Sequence, residues 1–225
     1  MSIAEEVKKL LAPLADPARA AAMSAYMRGQ FAFYGIPTPA RRAALKPLVR
    51  SLKGAHADVL LDAAGALWTE PQRECQYAAI DPLAAHAKQF DGGHIAPLLA
   101  LARQVSWWDS VDALAVVVGT VVRADRLLRQ PLMDEAVCHA DLWTRRVAML
   151  HQLGWRFDTD LDRLFGYAER LAHEEDFFIR KAIGWGLRDY AHHDPNAVRD
   201  FLLAQGDALS ALTRREAAKH LDKQK

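Results

Sequence analysis

Arg145-Arg146-Val147-Ala148-Met149 is one of several short stretches in which basic residues open a run of small apolar ones, and the spacing of these stretches decides the fold. Arg41-Arg42-Ala43-Ala44-Leu45 is the first, and Arg73 with Ala78-Ala79-Ile80 is a looser second. Arg180-Lys181-Ala182-Ile183 and Arg214-Arg215-Glu216-Ala217-Ala218 follow. The starts fall at 41, 73, 145, 180 and 214. The gap between 73 and 145 leaves room for two units, and Trp107-Trp108-Asp109 falls into it. Strand signals are weak, and apolar residues recur at three- and four-residue spacing between the starts. A repeat of about 35 residues with two helices per unit predicts an all-α, HEAT-like helical solenoid with a concave basic face. The expected extent is a single repeat domain over residues 1–225.

Caps support this registration. Thr38-Pro39 reads as an N-cap followed by a proline at the first helical position. Thr69 with Gln72, and Thr213 with Glu216, fit the capping box. Thr144 and Asp176 are further expected caps.

Half the residues are apolar (51%) and a quarter are charged (25%), the composition of an ordinary globular protein long enough to bury a sizeable core. No apolar run reaches membrane-spanning length, and the acidic start Met1-Ser2-Ile3-Ala4-Glu5-Glu6 has no signal pattern, so a cytoplasmic protein without membrane association is expected. Cys75 and Cys138 lie far apart and are expected to be buried thiols. The nine histidines form no zinc spacing, and there is neither a glycine-rich phosphate loop nor a nucleophile turn. No metal, nucleotide or redox cofactor is implied. The net charge of +1 argues against a general nucleic-acid binder, but 20 of the 29 basic residues are arginines, and they are clustered, several of them at the helix starts. Cations in a helix's first turn oppose its dipole, so their recurrence suggests an anion nearby, and arginine forks suit phosphate. The plain alternative is that these arginines pair with acidic residues of neighbouring repeats.

Ser106-Trp107-Trp108-Asp109-Ser110-Val111-Asp112 is the one unit that opens on aromatic and acidic residues. Trp108 and Asp112 share a helix face one turn apart. Asp109 fits an N-cap pair with Ser106, but Asp112 has no such task and lies inside a stretch that reads as core. It is either one half of a buried ion pair, with Arg146 of the next unit as the available partner, or a carboxylate placed to stabilise a cation. Lys181, Trp185 and Arg188 share another face, with Phe177-Phe178 ahead of that helix. A basic and aromatic face suits stacking combined with phosphate contact. Trp68, Trp143 and Trp155 read as core residues.

These motifs together resemble the AlkD-type DNA alkylation-repair glycosylases, which are built from HEAT-like repeats. The resemblance runs over nearly the whole chain: Tyr26-Met27-Arg28-Gly29-Gln30-Phe31 through Gly35-Ile36-Pro37-Thr38-Pro39-Ala40-Arg41-Arg42, the Trp107-Trp108-Asp109 segment, Trp143 through Leu153, Phe177 through Tyr190, and Arg214-Arg215-Glu216-Ala217. It implies a catalytic cleft lined by Asp112, Trp108 and Trp185. It further implies DNA contacts from Tyr26, Thr38, Arg41, Arg146, Phe177, Phe178, Lys181 and Arg188, with Arg146 on a backbone phosphate. Gly186, directly after Trp185, departs from the family pattern. The implied activity is excision of positively charged N3- and N7-alkylated purines from duplex DNA without enclosing the base, by a monomer that associates with the nucleoid when bound. The alternatives are a non-catalytic HEAT-like scaffold for DNA structures and a HEAT-type protein adaptor.

Overall fold

Val111, Leu114, Ala115, Val118, Val121 and Val122 recur every three or four residues along one side of a 17-residue helix, α7 (Trp108–Ala124), and all are buried. The same periodicity builds the rest of the computed structural model, which describes residues 2–221. Those residues form thirteen α-helices joined by turns and short 3-10 segments, with no β-strand among them. No helix among them is long and apolar enough to cross a membrane.

The chain divides after Val105 into two compact units. The first holds α1 (Ile3–Leu11), α2 (Pro17–Tyr26), α3 (Thr38–Ser51), α4 (Ala57–Trp68), α5 (Arg73–Ala85) and α6 (Ile95–Ala102). The second holds α7, α8 (Arg126–Ala136), α9 (Leu142–Leu150), α10 (Leu161–Leu171), α11 (Phe177–Ala191), α12 (Pro195–Gln205) and α13 (Ala211–Ala218). The helices α3, α5, α7, α9, α11 and α13 begin at 38, 73, 108, 142, 177 and 211, so consecutive starts lie 34 or 35 residues apart. The two-helix repeat is therefore more regular than the basic residues alone suggest. Within the second unit α7 packs on α9, α9 on α11 and α11 on α13. Glycines allow the closest approaches: a Cβ on Gly119 of α7 would lie 1.8 Å from the backbone oxygen of His151, just past α9.

Most of the caps sit elsewhere than expected. Asp176 does cap α11, accepting from the backbone N–H groups of Phe178 and Ile179. Asp141 and Ser210 cap α9 and α13, so Thr144 and Thr213 are third-position residues whose own N–H groups bond those caps. Pro37 precedes α3 and Gln72 precedes α5, both without a side-chain cap bond, and Thr69 lies at the C-terminal end of α4. The cap position of α7 is Trp107, not Ser106.

In the first unit the turn ahead of α3 is held by Glu74 of α5. This wholly buried carboxylate accepts from the backbone N–H groups of Tyr34, Gly35 and Ile36 at 2.9, 2.8 and 3.0 Å. Gly35 has φ +89°, and a Cβ there would lie 2.1 Å from the Asp16 carbonyl oxygen. Cys75 is buried, and burial pushes its thiol up to about 12; Cys138 is exposed, contrary to expectation, because it ends the turn after α8. Trp68 and Trp155 are core residues as expected.

Candidate active site

Aligning the six equivalent helices on their first residues brings out one register position. Their fifth residues are Arg42, Tyr77, Asp112, Arg146, Lys181 and Arg215. Asp112 is the only acid in a position that four of the six fill with a cation. It sits one turn into α7, and Trp108, the first residue of that helix, lies on the same face.

Arg146, at the same position of α9, holds this carboxylate in a fork. Its Nε reaches Asp112 Oδ1 at 2.7 Å and its Nη2 reaches Oδ2 at 2.8 Å, while Nη1 donates to the backbone carbonyl of Phe178. The residue is only 2% exposed. The Asp112 side chain keeps 16% of its surface open, so the carboxylate is covered on the arginine side and accessible on another. Burial raises its pKa above the ordinary aspartate range, and the neighbouring Asp109 adds to that rise; the Arg146 hydrogen bonds and charge oppose it without cancelling it.

Trp185 extends the arrangement into α11. Three cations lie around its half-buried ring: Arg146 at 5.7 Å from the centroid, Lys181 at 5.8 Å and Arg188 at 5.6 Å. Lys181 and Arg188 share a face of α11, as expected, and both also reach the buried Glu216 of α13, at 2.9 and 3.1 Å. Gly186 points away from this face: a Cβ on it would lie 3.1 Å from Met149 Cε and 3.3 Å from Leu164 Cδ1. The departure at that position is a packing matter.

An aromatic cluster borders the site. The Phe178 ring meets Trp107 at 4.9 Å and Trp143 at 5.0 Å, and the exposed Phe177 packs edge-on against Phe178 at 5.4 Å. Trp143 is thus a partly exposed member of this cluster and not a core residue. Because Phe178 also supplies the carbonyl that holds Arg146, the cluster and the ion pair support each other.

In the first unit, Tyr26 ends α2 and Thr38 begins α3, both exposed. Arg41 is different. It is 4% exposed, its Nε lies 3.2 Å from Asp81 Oδ2, and it covers the Tyr77 ring at 5.1 Å. Its neighbour Arg42 also reaches Asp81, at 3.2 Å, but its side chain is 68% exposed.

Arg146 and Arg41, both expected on phosphate, are buried here: Arg146 has its fork on Asp112 and Phe178, and Arg41 lies against Asp81 and Tyr77. The plain reading of the paired arginines, as ties between repeats, holds for both, and for Arg145, which forks onto Glu174 at 2.7 and 2.8 Å. Sequence reasoning missed Arg42, Trp107 and Trp143, and it missed Glu216 as an acceptor of cations. The common register position would have found Arg42, and charge at an apolar position would have found Glu216. No three His, Cys, Asp or Glu side chains among the described residues are grouped closely enough to hold a metal ion.

The family model described as DNA alkylation repair enzyme matches residues 7–221. The chain belongs to the DNA alkylation repair enzyme family. It is 34% identical to a solved structure described as a predicted DNA alkylation repair enzyme from Enterococcus faecalis, over 93% of this chain and 97% of that one, with a TM-score of 0.87. It is also similar to the crystal structure of a protein from Streptococcus mutans UA159, at 15% identity over 97% of this chain and 98% of that one, with a TM-score of 0.64; a likeness at that identity is one of fold. No curated protein matches. Membership in the DNA alkylation repair family gives the protein a role in alkylation repair and makes DNA its substrate.

Proposed function

We propose that the protein is a DNA glycosylase that releases positively charged N3- and N7-alkylated purines from duplex DNA by hydrolysis of the N-glycosidic bond, without enclosing the base. The observation that carries this reading is Asp112: a partly open carboxylate, oriented through both oxygens by a buried arginine, at a repeat position that four of the six helices fill with a cation.

Alkylation at N3 or N7 places a positive charge on the purine, so the base departs without a general acid. As the bond between C1′ and N9 breaks, its electron pair neutralises the leaving base and positive charge develops on the sugar. The Asp112 carboxylate stabilises that charge, and its fixed orientation means it need not reorganise as the charge forms. Water then adds at C1′, and its proton passes through Asp112 to solvent. The faces of Trp108 and Trp185 add packing and cation–π stabilisation beside the sugar and base. In the second unit Lys181 and Arg188, with Phe177 and Phe178 of the same helix, are proposed contacts to the DNA backbone, and in the first unit so are the exposed Arg42, Thr38 and Tyr26. The protein works as a monomer, and residues 1–225 act as one repeat domain.

The Arg146 fork also favours a second reading, a non-catalytic DNA-binding scaffold in which Asp112 is only half of a structural ion pair. Base release separates the two. Duplexes carrying N7-methylguanine, uracil or hypoxanthine, one lesion each, are offered to the protein with chelator present. The glycosylase reading predicts release of N7-methylguanine alone, because the neutral lesions need an acid that the proposed site lacks. Release of none supports the scaffold, and release of uracil or hypoxanthine at a comparable rate overturns the mechanism.

A further inference from the structure

Glu216 is out of place in its own register. The sixth residues of the equivalent helices α3, α5, α7, α9 and α11 are Ala43, Ala78, Ala113, Val147 and Ala182; in α13 the sixth residue is Glu216. A carboxylate stands where the repeat otherwise keeps a small apolar side chain, and it is 4% exposed. Three cations converge on it: Lys181 at 2.9 Å, Arg188 at 3.1 Å and Lys219 at 2.7 Å. Burial pushes its pKa up, but Lys219 and Lys181 outweigh that and hold it at about 2, so it is ionised at every working pH.

The facing helix is shaped to receive it. Lys181, Gly184 and Arg188 form one stripe of α11, and a Cβ on Gly184 would lie 2.5 Å from Glu216 Cβ. The glycine lets α13 approach closely enough for one carboxylate to take a cation from the turn before Trp185 and another from the turn after it. Unheld, each of these long side chains samples many rotamers, and phosphate binding would have to remove that freedom. Held, they stand beside the Trp185 ring before DNA arrives.

We propose that Glu216 is a positioning residue of the excision site: it fixes Lys181 and Arg188 around Trp185 so that both meet the DNA backbone in register with Asp112. The proposal rests on the glycosylase reading. It carries a signature that a residue serving only stability lacks. The charge of Glu216 repels DNA, so removing it strengthens or preserves affinity for undamaged duplex, while the loss of register slows chemistry.

The test is Glu216→Gln, compared with wild type for binding of undamaged duplex and for single-turnover release of N7-methylguanine at saturating protein, at a temperature where both are folded. Affinity should be equal or higher and the release rate about 10- to 10²-fold lower, the scale of a misplaced contact. A release rate within twofold of wild type overturns the proposal, as does a parallel loss of affinity and rate. Should Glu216→Gln alone not fold, the substitution is added to Lys181→Met/Arg188→Met, where those two cations no longer need a counter-ion. There it should change the rate by less than about twofold, since it acts through the side chains already removed. A further large fall overturns the proposal. Failure of the glycosylase reading is separately visible, because wild type would then release no base.

Discussion

Arg146→Met decides between two roles for one arginine. The substitution keeps most of the side-chain volume and removes a fork whose nitrogens lie 2.7 and 2.8 Å from the Asp112 oxygens, at a residue 2% exposed. Two unit charges about 4 Å apart attract by about 4 kcal/mol at an effective dielectric constant of about 20. Breaking one side of a buried pair costs about 3–5 kcal/mol, because the remaining charge is left without its partner. The variant should therefore be destabilised by about that amount at neutral pH. The sign of the pH dependence is fixed by Asp112. Its folded pKa already lies above the ordinary range, and without Arg146 only the raising influences, burial and Asp109, remain. The folded state then favours the neutral acid, so the variant is most stable below the ordinary aspartate pKa and loses stability as pH rises through the raised one. Thermal melting at several pH values should show the gap from wild type widening with pH, and adding Asp112→Asn should close most of it. Base release should fall by about 10²–10³-fold, the scale of a lost preorganised charge. DNA binding should keep its salt dependence, because a buried arginine releases no counterions. If the salt slope instead falls by about one unit with melting unchanged, Arg146 is a phosphate ligand and the reasoning fails.

Other predictions follow from single contacts. Asp109→Asn removes a negative charge that raises the pKa of Asp112, so the acid limb of the pH–rate profile should move to lower pH; movement to higher pH would contradict the cause given for the shift. Gly119→Ala puts a methyl group where the His151 carbonyl oxygen lies and should cost about 1–3 kcal/mol of stability by urea unfolding, more than an alanine in an open helix. Glu74→Gln leaves a single acceptor oxygen for three backbone N–H groups and should cost about 1–3 kcal/mol, with faster hydrogen exchange at Tyr34, Gly35 and Ile36; unchanged exchange would mean the carboxylate does not hold that turn.

The repeat was legible because it is written twice, in apolar spacing and in recurrent basic residues. Its phase was less so. Arg73 is the first residue of its helix, whereas Arg41, Arg145, Arg180 and Arg214 are fourth residues, so arginines alone made the spacing look uneven. Caps misled for a related reason. Thr144 and Thr213 have the composition of caps, but Asp141 and Ser210 lie three residues earlier and can also cap, and only the packed helix shows which one does. The candidate site was legible as a set of residue types: Asp112, Trp108, Trp185, Lys181 and Arg188 all belong to the second unit, and each lies on the helix face read for it. What sequence could not give is which cations are spent inside the protein. Residues four and five of a helix point about 100° apart. In α3 that turn leaves Arg41 buried and Arg42 exposed, whereas in α9 the same turn gives Arg145 to Glu174 and Arg146 to Asp112. The repeat offered Arg146 to Asp112 as one of two readings, whereas the partners Asp81 and Glu174 follow from packing and not from local pattern.

The central claim is that the charge of Asp112 performs the excision. It is tested most directly by the single-turnover rate of N7-methylguanine release from methylated duplex DNA by wild type and Asp112→Asn, each at saturating protein and corrected for the folded fraction at the assay temperature. The correction matters because the substitution leaves Arg146 without its counter-ion, and a loss of about 3–5 kcal/mol in stability is expected alongside the kinetic effect. The account predicts that the folded variant binds the duplex at least as tightly as wild type and releases the base about 10²–10³-fold more slowly. A folded variant that releases N7-methylguanine at the wild-type rate would contradict the account and reduce Asp112 to a structural partner of Arg146.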